Sequence, residues 1–130
     1  MSQRQPVVAI VEDNVSIQRA LARLLSTAGW QASTFTSAEA FLHTRMQAVP
    51  DCLILDLWLP GMTGVELVEH LAARGSLLPA IIMTARDDPQ MRRRALQVGA
   101  VAYLLKPLEA PDLLQAVQDA LDRRYLSGSA

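Results

Sequence analysis

The stretch "CLILDLWLPGMTGVELVEHLAARG", residues 52–75, changes its hydrophobic period halfway along. It opens with the continuous apolar run of a strand buried on both faces, "CLILDL", interrupted only by the carboxylate of Asp56. An exposed-looking tryptophan, Trp58, and a Pro-Gly turn follow. Thr63 with Glu66 three residues on has the spacing of a capping box, which opens a helix that ends at Gly75. The unit is strand, turn, helix, and its strand delivers an acid to the turn.

The same unit recurs on both sides. Upstream, "VVAIV" (7–11) is a strand, and "NVSIQRALARLLSTAG" (14–29) places Ile17, Leu21, Leu24, Leu25 and Ala28 at helical spacing before Gly29. "WQASTF" (30–35) reads as the second strand. "TSAEAFLHTRMQ" (36–47) reads as a helix opened by Thr36, with Glu39 at capping-box spacing. Downstream, "LPAIIMT" (78–84) is the fourth strand, and "DDPQMRRRALQVG" (87–99) a helix with Asp88 as N-cap, Pro89 in its first turn and Gly99 past its end. "AVAYLL" (100–105) and "PDLLQAVQDALDRRY" (111–125) complete a fifth pair. Five alternations with continuously apolar strands predict a doubly wound α/β domain, a five-stranded parallel sheet covered by helices on both faces. We assign residues 1–125 to it, and 126–130, "LSGSA", to a flexible tail or the start of a linker.

Composition narrows the function. Thirteen acids against 12 bases give a net charge of -1, which disfavours general capture of nucleic acid or an anionic membrane. The single cysteine, Cys52, lies in an apolar run and reads as a small buried hydrophobe. No stretch has the length of a secretory signal core or a membrane span, so a cytoplasmic protein with no membrane contact is expected. Eleven of the 12 basic residues are arginine, and the one lysine, Lys106, directly follows a strand.

In doubly wound sheets, ligands bind beyond the carboxyl ends of the strands. There strand one carries Glu12 and Asp13, strand three Asp56, strand four Thr84 and strand five Lys106; strand two carries no comparable group. With the flavodoxin-like order 2-1-3-4-5, the four decorated strands become neighbours and five polar groups face one cleft. Two carboxylates about 4 Å apart repel by roughly 4 kcal/mol at an effective dielectric near 20. A hard cation relieves this, and an oxygen-only donor set suits Mg²⁺ (or Mn²⁺) rather than zinc. With a lysine and a hydroxyl nearby, the chemistry best served is transfer of a phosphoryl group to Asp56. Neither a G-x-G-x-x-G nor a P-loop is present, and His43 and His70 have no matching nucleophile.

In this order and at these spacings, "VEDN" (11–14), "LILDLWLPGMTGVEL" (53–67), "IIMTA" (81–85) and "YLLKPL" (103–108) resemble the receiver domain of two-component response regulators. The wording of "SAEAFL" (37–42) and "RALQVGAVAYLLKPL" (94–108) is most similar to the FixJ/TodT type, whose members carry a LuxR-type DNA-binding output domain absent from this chain. The resemblance implies Asp56 as phosphoacceptor for a sensor histidine kinase, with Thr84 and Lys106 contacting the phosphoryl group. It implies Mg²⁺ held by Glu12, Asp13, Asp56 and the backbone carbonyl of Trp58. It implies a switch through Thr84, Tyr103 and Pro107, with a cis Lys106–Pro107 bond. The face of helix 4, strand 5 and helix 5 would then drive homodimerisation, through residues such as Arg93, Leu96 and Val101, or control a transcriptional output. Such a domain catalyses only its own phosphoryl transfer and dephosphorylation. Glu12 stands where many members have Asp, and Trp58 and Arg86 border the mouth.

Each residue also has an ordinary reading. Asp13 or Asn14 can cap a helix, Thr84 can bond locally at a strand end, Lys106 can be a solvated charge, and Tyr103 can be core edge with a wet hydroxyl. Arg92, Arg93 and Arg94 point about 100° apart on a helix and form no flat basic face. The competing function is a phosphorylation-independent protein-binding module of the same fold. A phosphatase acting on external substrates is disfavoured, because "DLWLP" lacks a second acid two residues past Asp56.

Overall fold

Strands β1 (Val7–Val11), β3 (Cys52–Asp56) and β4 (Ala80–Thr84) are buried at every residue, which is why their sequences show no alternation. With β2 (Gln31–Phe35) and β5 (Ala102–Leu105) they form one parallel sheet in the order β2-β1-β3-β4-β5, as the pattern predicted. The computed structural model describes residues 5–44 and 49–128. Both edge strands are partly exposed, so β2 reads as mixed polar and apolar.

Among the described residues five helices cover the two faces: α1 (Val15–Thr27), α2 (Ala38–His43), α3 (Gly64–Ala73), α4 (Pro89–Gln97) and α5 (Ala110–Gly128). Alternate strand residues serve opposite cores. Val8, Ile10, Ile54, Ile81 and Met83 pack with Leu21 and Leu25 of α1 and Leu113, Val117 and Leu121 of α5. Ala9, Val11, Leu53, Leu55 and Ile82 pack with Phe41 of α2, Val65, Leu67 and Val68 of α3 and Ala95 of α4. Burying a Leu or Ile side chain stabilises by about 1.5–3 kcal/mol, and these two layers fix the register that brings the strand ends level.

Local chemistry sets the helix starts. Asn14 caps α1, its Oδ1 accepting from the Ile17 amide at 3.0 Å. Thr63 and Glu66 form the expected capping box on α3, and the two Thr63 bonds hold the Glu66 carboxyl below its usual range. Asp88 Oδ1 caps α4 at 3.0 and 3.1 Å from the amides of Gln90 and Met91. The second helix departs from its reading. Its cap is Ser37 rather than Thr36, with Ser37 Oγ accepting from the Ala40 amide, and α2 ends at His43. Ser37 wins because its extended backbone (φ -150°, ψ 160°) aims its own Oγ at the helix amides. The last three residues of the expected segment, 45–47, lie outside the described residues. Helix α5 runs on to Gly128, past Tyr125, where the expected helical segment ended.

One polar side chain braces the sheet from within. Asp51 is buried and its Oδ2 accepts from the Val7 amide at 2.9 Å, joining β1 to the segment entering β3. Cys52 is fully buried, and burial pushes its thiol up to about 12, so it is an inert hydrophobe. Among the described residues no helix is long and apolar enough to cross a membrane.

Candidate phosphoacceptor site

The strand register decides which side chains meet. Val11 pairs with Leu55, Asp56 with Met83 and Thr84 with Leu105, so β1, β3, β4 and β5 end at one level. Glu12 and Asp13 leave β1 there, Asp56 ends β3, Thr84 ends β4 and Lys106 follows β5. The sheet therefore brings together Glu12, Asp13, Asp56 and Lys106, residues up to 94 positions apart. Carboxylate oxygens of the three acids lie within 4.8 Å of one another.

Lys106 Nζ donates to Glu12 Oε1 at 3.3 Å and to Asp56 Oδ2 at 3.3 Å, so it is an ion-paired group and not a solvated charge. Its backbone amide bonds the Thr84 carbonyl at 2.7 Å, and the Lys106–Pro107 peptide is cis, as the resemblance implied. Glu12 is almost wholly buried. Burial first, and the Asp56 charge second, push its carboxyl up to about 7 against the pull of Lys106. Asp56 Oδ1 accepts from the Trp58 amide at 3.3 Å, which turns the carboxylate toward the β3–α3 loop.

Thr84 is fully buried and its hydroxyl is engaged locally. Oγ1 donates to the Arg86 carbonyl at 2.8 Å and accepts from the Arg86 amide at 3.1 Å. Trp58 and Arg86 close the mouth. The guanidinium lies 4.4 Å from the centre of the indole ring, and Trp58 Nε1 donates to the Arg86 carbonyl at 3.4 Å. Asp56, Trp58, Ala85, Arg86 and Lys106 line a cavity of about 270 Å³. Tyr103 lies apart from the acids. Its hydroxyl accepts from the Asp88 amide at 3.4 Å, Arg92 stacks 5.0 Å from its ring centre, and burial raises its phenol. Arg92, Arg93 and Arg94 are all exposed; Arg92 pairs with Asp87 and Arg94 with Glu69.

Two residues that composition and motif did not flag shape this site. Gly64 starts α3 against the end of β3: a Cβ there would stand 2.6 Å from the Asp56 carbonyl oxygen. Gln18 is buried in the first turn of α1 and donates to the carbonyls of Glu12 and Phe35 at 3.2 and 3.1 Å. Its signal was present, since Gln18 precedes Leu21 and Leu25 by three and seven residues and so falls on the buried stripe.

Comparison with known proteins bears on the family and the fold. A family model described as the response regulator receiver domain matches residues 8–118. Nodulation protein W of Bradyrhizobium diazoefficiens is 38% identical over 90% of this chain and 52% of its own length. The transcriptional regulatory protein FixJ of Azorhizobium caulinodans is 33% identical over 93% of this chain and 57% of its own. The chain thus spans about half the length of the curated relatives it matches. The FixJ-N crystal structure superimposes with a TM-score of 0.83 at 32% identity, covering 92% of this chain and 96% of that one.

Proposed function

The chain belongs to the response regulator receiver domains of two-component systems, and from that premise we propose that it is a phosphorylation-controlled switch with Asp56 as its phosphoacceptor. The observation that carries this is the position of Asp56, at the end of a central strand, beside two further acids and within 3.3 Å of the one lysine of the chain.

An Asp56 oxygen attacks phosphorus in a phosphohistidine of a sensor kinase or in acetyl phosphate. The new bond is an acyl phosphate, and the broken bond leaves its electron pair on the departing imidazole or acetate. Lys106 neutralises charge on the phosphoryl oxygens, and the Thr84 hydroxyl donates to one of them after releasing the Arg86 carbonyl. The oxygen-only cluster of Glu12, Asp13 and Asp56 fits a hard divalent ion, which these acids and the Trp58 carbonyl would hold. Mg²⁺ (or Mn²⁺), when bound, supplies charge neutralisation at the phosphoryl oxygens. The domain turns over no external substrate.

Movement of Thr84, followed by Tyr103 and the segment around Pro107, alters the α4, β5 and α5 face. The phosphoryl group shifts that equilibrium only by its differential interaction with the two states. The output is a homodimer or an attached DNA-binding domain that regulates transcription, in a cytoplasmic setting. Intact mass after incubation with Mg²⁺ and acetyl phosphate tests the reading. One phosphoryl group is expected, lost in Asp56→Asn and in EDTA. No gain would make the domain a binding module of the same fold.

A further inference from the structure

Gln18 is a polar side chain on the otherwise apolar buried stripe of α1, between the helix and the sheet. Its bonds converge on one turn. The Gln18 amide donates to the Asn14 carbonyl at 3.0 Å, and Nε2 of the same residue donates to the Glu12 carbonyl at 3.2 Å. One residue therefore grips both ends of the Glu12–Asn14 turn, the Glu12 end through its side chain and the Asn14 end through its main chain. Nε2 also reaches the Phe35 carbonyl at 3.1 Å, and that carbonyl accepts from the Glu12 amide at 3.0 Å. The turn is thereby tied to the ends of β1 and β2 together.

This turn is under electrostatic load. Glu12, Asp13 and Asp56 crowd their oxygens within 4.8 Å, and Lys106 offsets only part of the repulsion. A three-residue turn relieves such repulsion by swinging its acids away from Asp56, unless the backbone is held. A buried carboxamide serves this purpose well: it carries two N–H donors, no charge of its own, and is out of reach of competing water.

We propose that Gln18 is a positioning residue that holds the Glu12–Asp13 turn against carboxylate repulsion and so sets the divalent-cation affinity of the site. This rests on the reading of Glu12, Asp13 and Asp56 as Mg²⁺ ligands. Outer partners that orient ligands change metal affinity by about ten- to a hundredfold when removed. Gln18 acts on the ligand backbone, which places the expected effect near the low end of that range.

The test is a Mg²⁺ titration of the intact chain without phosphoryl donor, followed by the backbone amide resonances of Asp13 and Asp56. Gln18→Met keeps the volume and removes both donors; Gln18→Glu keeps the shape and sets an acceptor against two carbonyls. The dissociation constant is expected to rise about tenfold in Gln18→Met and further in Gln18→Glu. Phosphorylation by acetyl phosphate at saturating Mg²⁺ should stay within about twofold of wild type, because the reacting groups are untouched. Unchanged affinity in Gln18→Met overturns the proposal, as does a rate loss that saturating Mg²⁺ does not restore. The wild-type Gln18 side-chain amide resonances give a reading free of folding effects. They should shift along the same binding curve as Asp13, and a silent Gln18 beside a responding Asp13 overturns the proposal. Wild-type protein in which neither Asp13 nor Asp56 responds to Mg²⁺ overturns the reading of the site itself.

Discussion

The guanidinium of Arg86 lies over the indole of Trp58, 4.4 Å from the ring centre, so the loops after β4 and β3 meet across the mouth above Asp56. The two residues are the outer wall of the cavity in which a phosphoryl group on Asp56 would sit. Breaking the contact admits water to that group. An exposed cation–π contact is worth about 0.5–1 kcal/mol, so Trp58→Ala or Arg86→Ala should speed phosphoryl loss from Asp56 by about two- to fivefold. The decay of phosphorylated mass after donor removal measures this. The double variant should lose no more than the larger single one, because both remove one contact.

Gly64 and Asp56 leave no room for a methyl group between α3 and β3. The obstacle at 2.6 Å is a backbone oxygen, which cannot swing aside like a flexible side chain. Gly64→Ala should therefore destabilise the domain by about 1–3 kcal/mol, read as a lower denaturant midpoint, and slow phosphorylation by displacing Asp56. Wild-type stability and rate in this variant would show that the helix start relaxes freely.

The metal-free protein should lose stability as pH rises from about 4.5 to about 7. Glu12 ionises near 4.5 when unfolded and near 7 when folded, so the folded state binds the extra proton throughout that window. Stability therefore falls with rising pH, by up to about 3 kcal/mol, and levels off above pH 7. Urea denaturation in EDTA at several pH values measures it. Glu12→Gln should flatten the profile, and Mg²⁺ should flatten it in wild type by favouring the ionised acid.

Asp51→Ala separates stability from chemistry. The variant leaves the Val7 amide without its carboxylate partner inside the sheet, a loss of about 1–3 kcal/mol. Thermal midpoint should drop, while the rate of phosphorylation at 10 °C below that midpoint should match wild type under the same conditions.

The α4 and β5 face carries Leu96 at 53% exposure beside exposed Arg93, with Leu105 at 46%. Phosphorylation should shift sedimentation toward a dimer, and Leu96→Glu should hold the chain as a monomer without altering phosphorylated mass. An identical sedimentation coefficient with and without donor would count against this face.

Much of the fold was legible because the signals were local. Continuous apolar runs in β1, β3 and β4 follow from burial on both faces, and Asn14, Thr63 and Asp88 cap helices through bonds within three residues. Thr36 misled because neighbouring hydroxyls offer the same chemistry, and the backbone angles at Ser37 chose between them. The acids, Thr84 and Lys106 were legible as a set since each follows an apolar run.

The sequence by itself determined the strand and helix alternation, the chemical identity of the cluster and its family. Periodicity and residue type suffice for these, being properties of short segments. Only the tertiary structure decided that Lys106 bonds Glu12 and Asp56, that the Thr84 hydroxyl faces Arg86, that Arg86 stacks on Trp58, that Gln18 bonds the Glu12 carbonyl, and that Gly64 lies against the Asp56 carbonyl. The two Lys106 ion pairs and the Trp58–Arg86 contact join residues tens of positions apart. Their distances are set by sheet register and core packing, which no local pattern encodes.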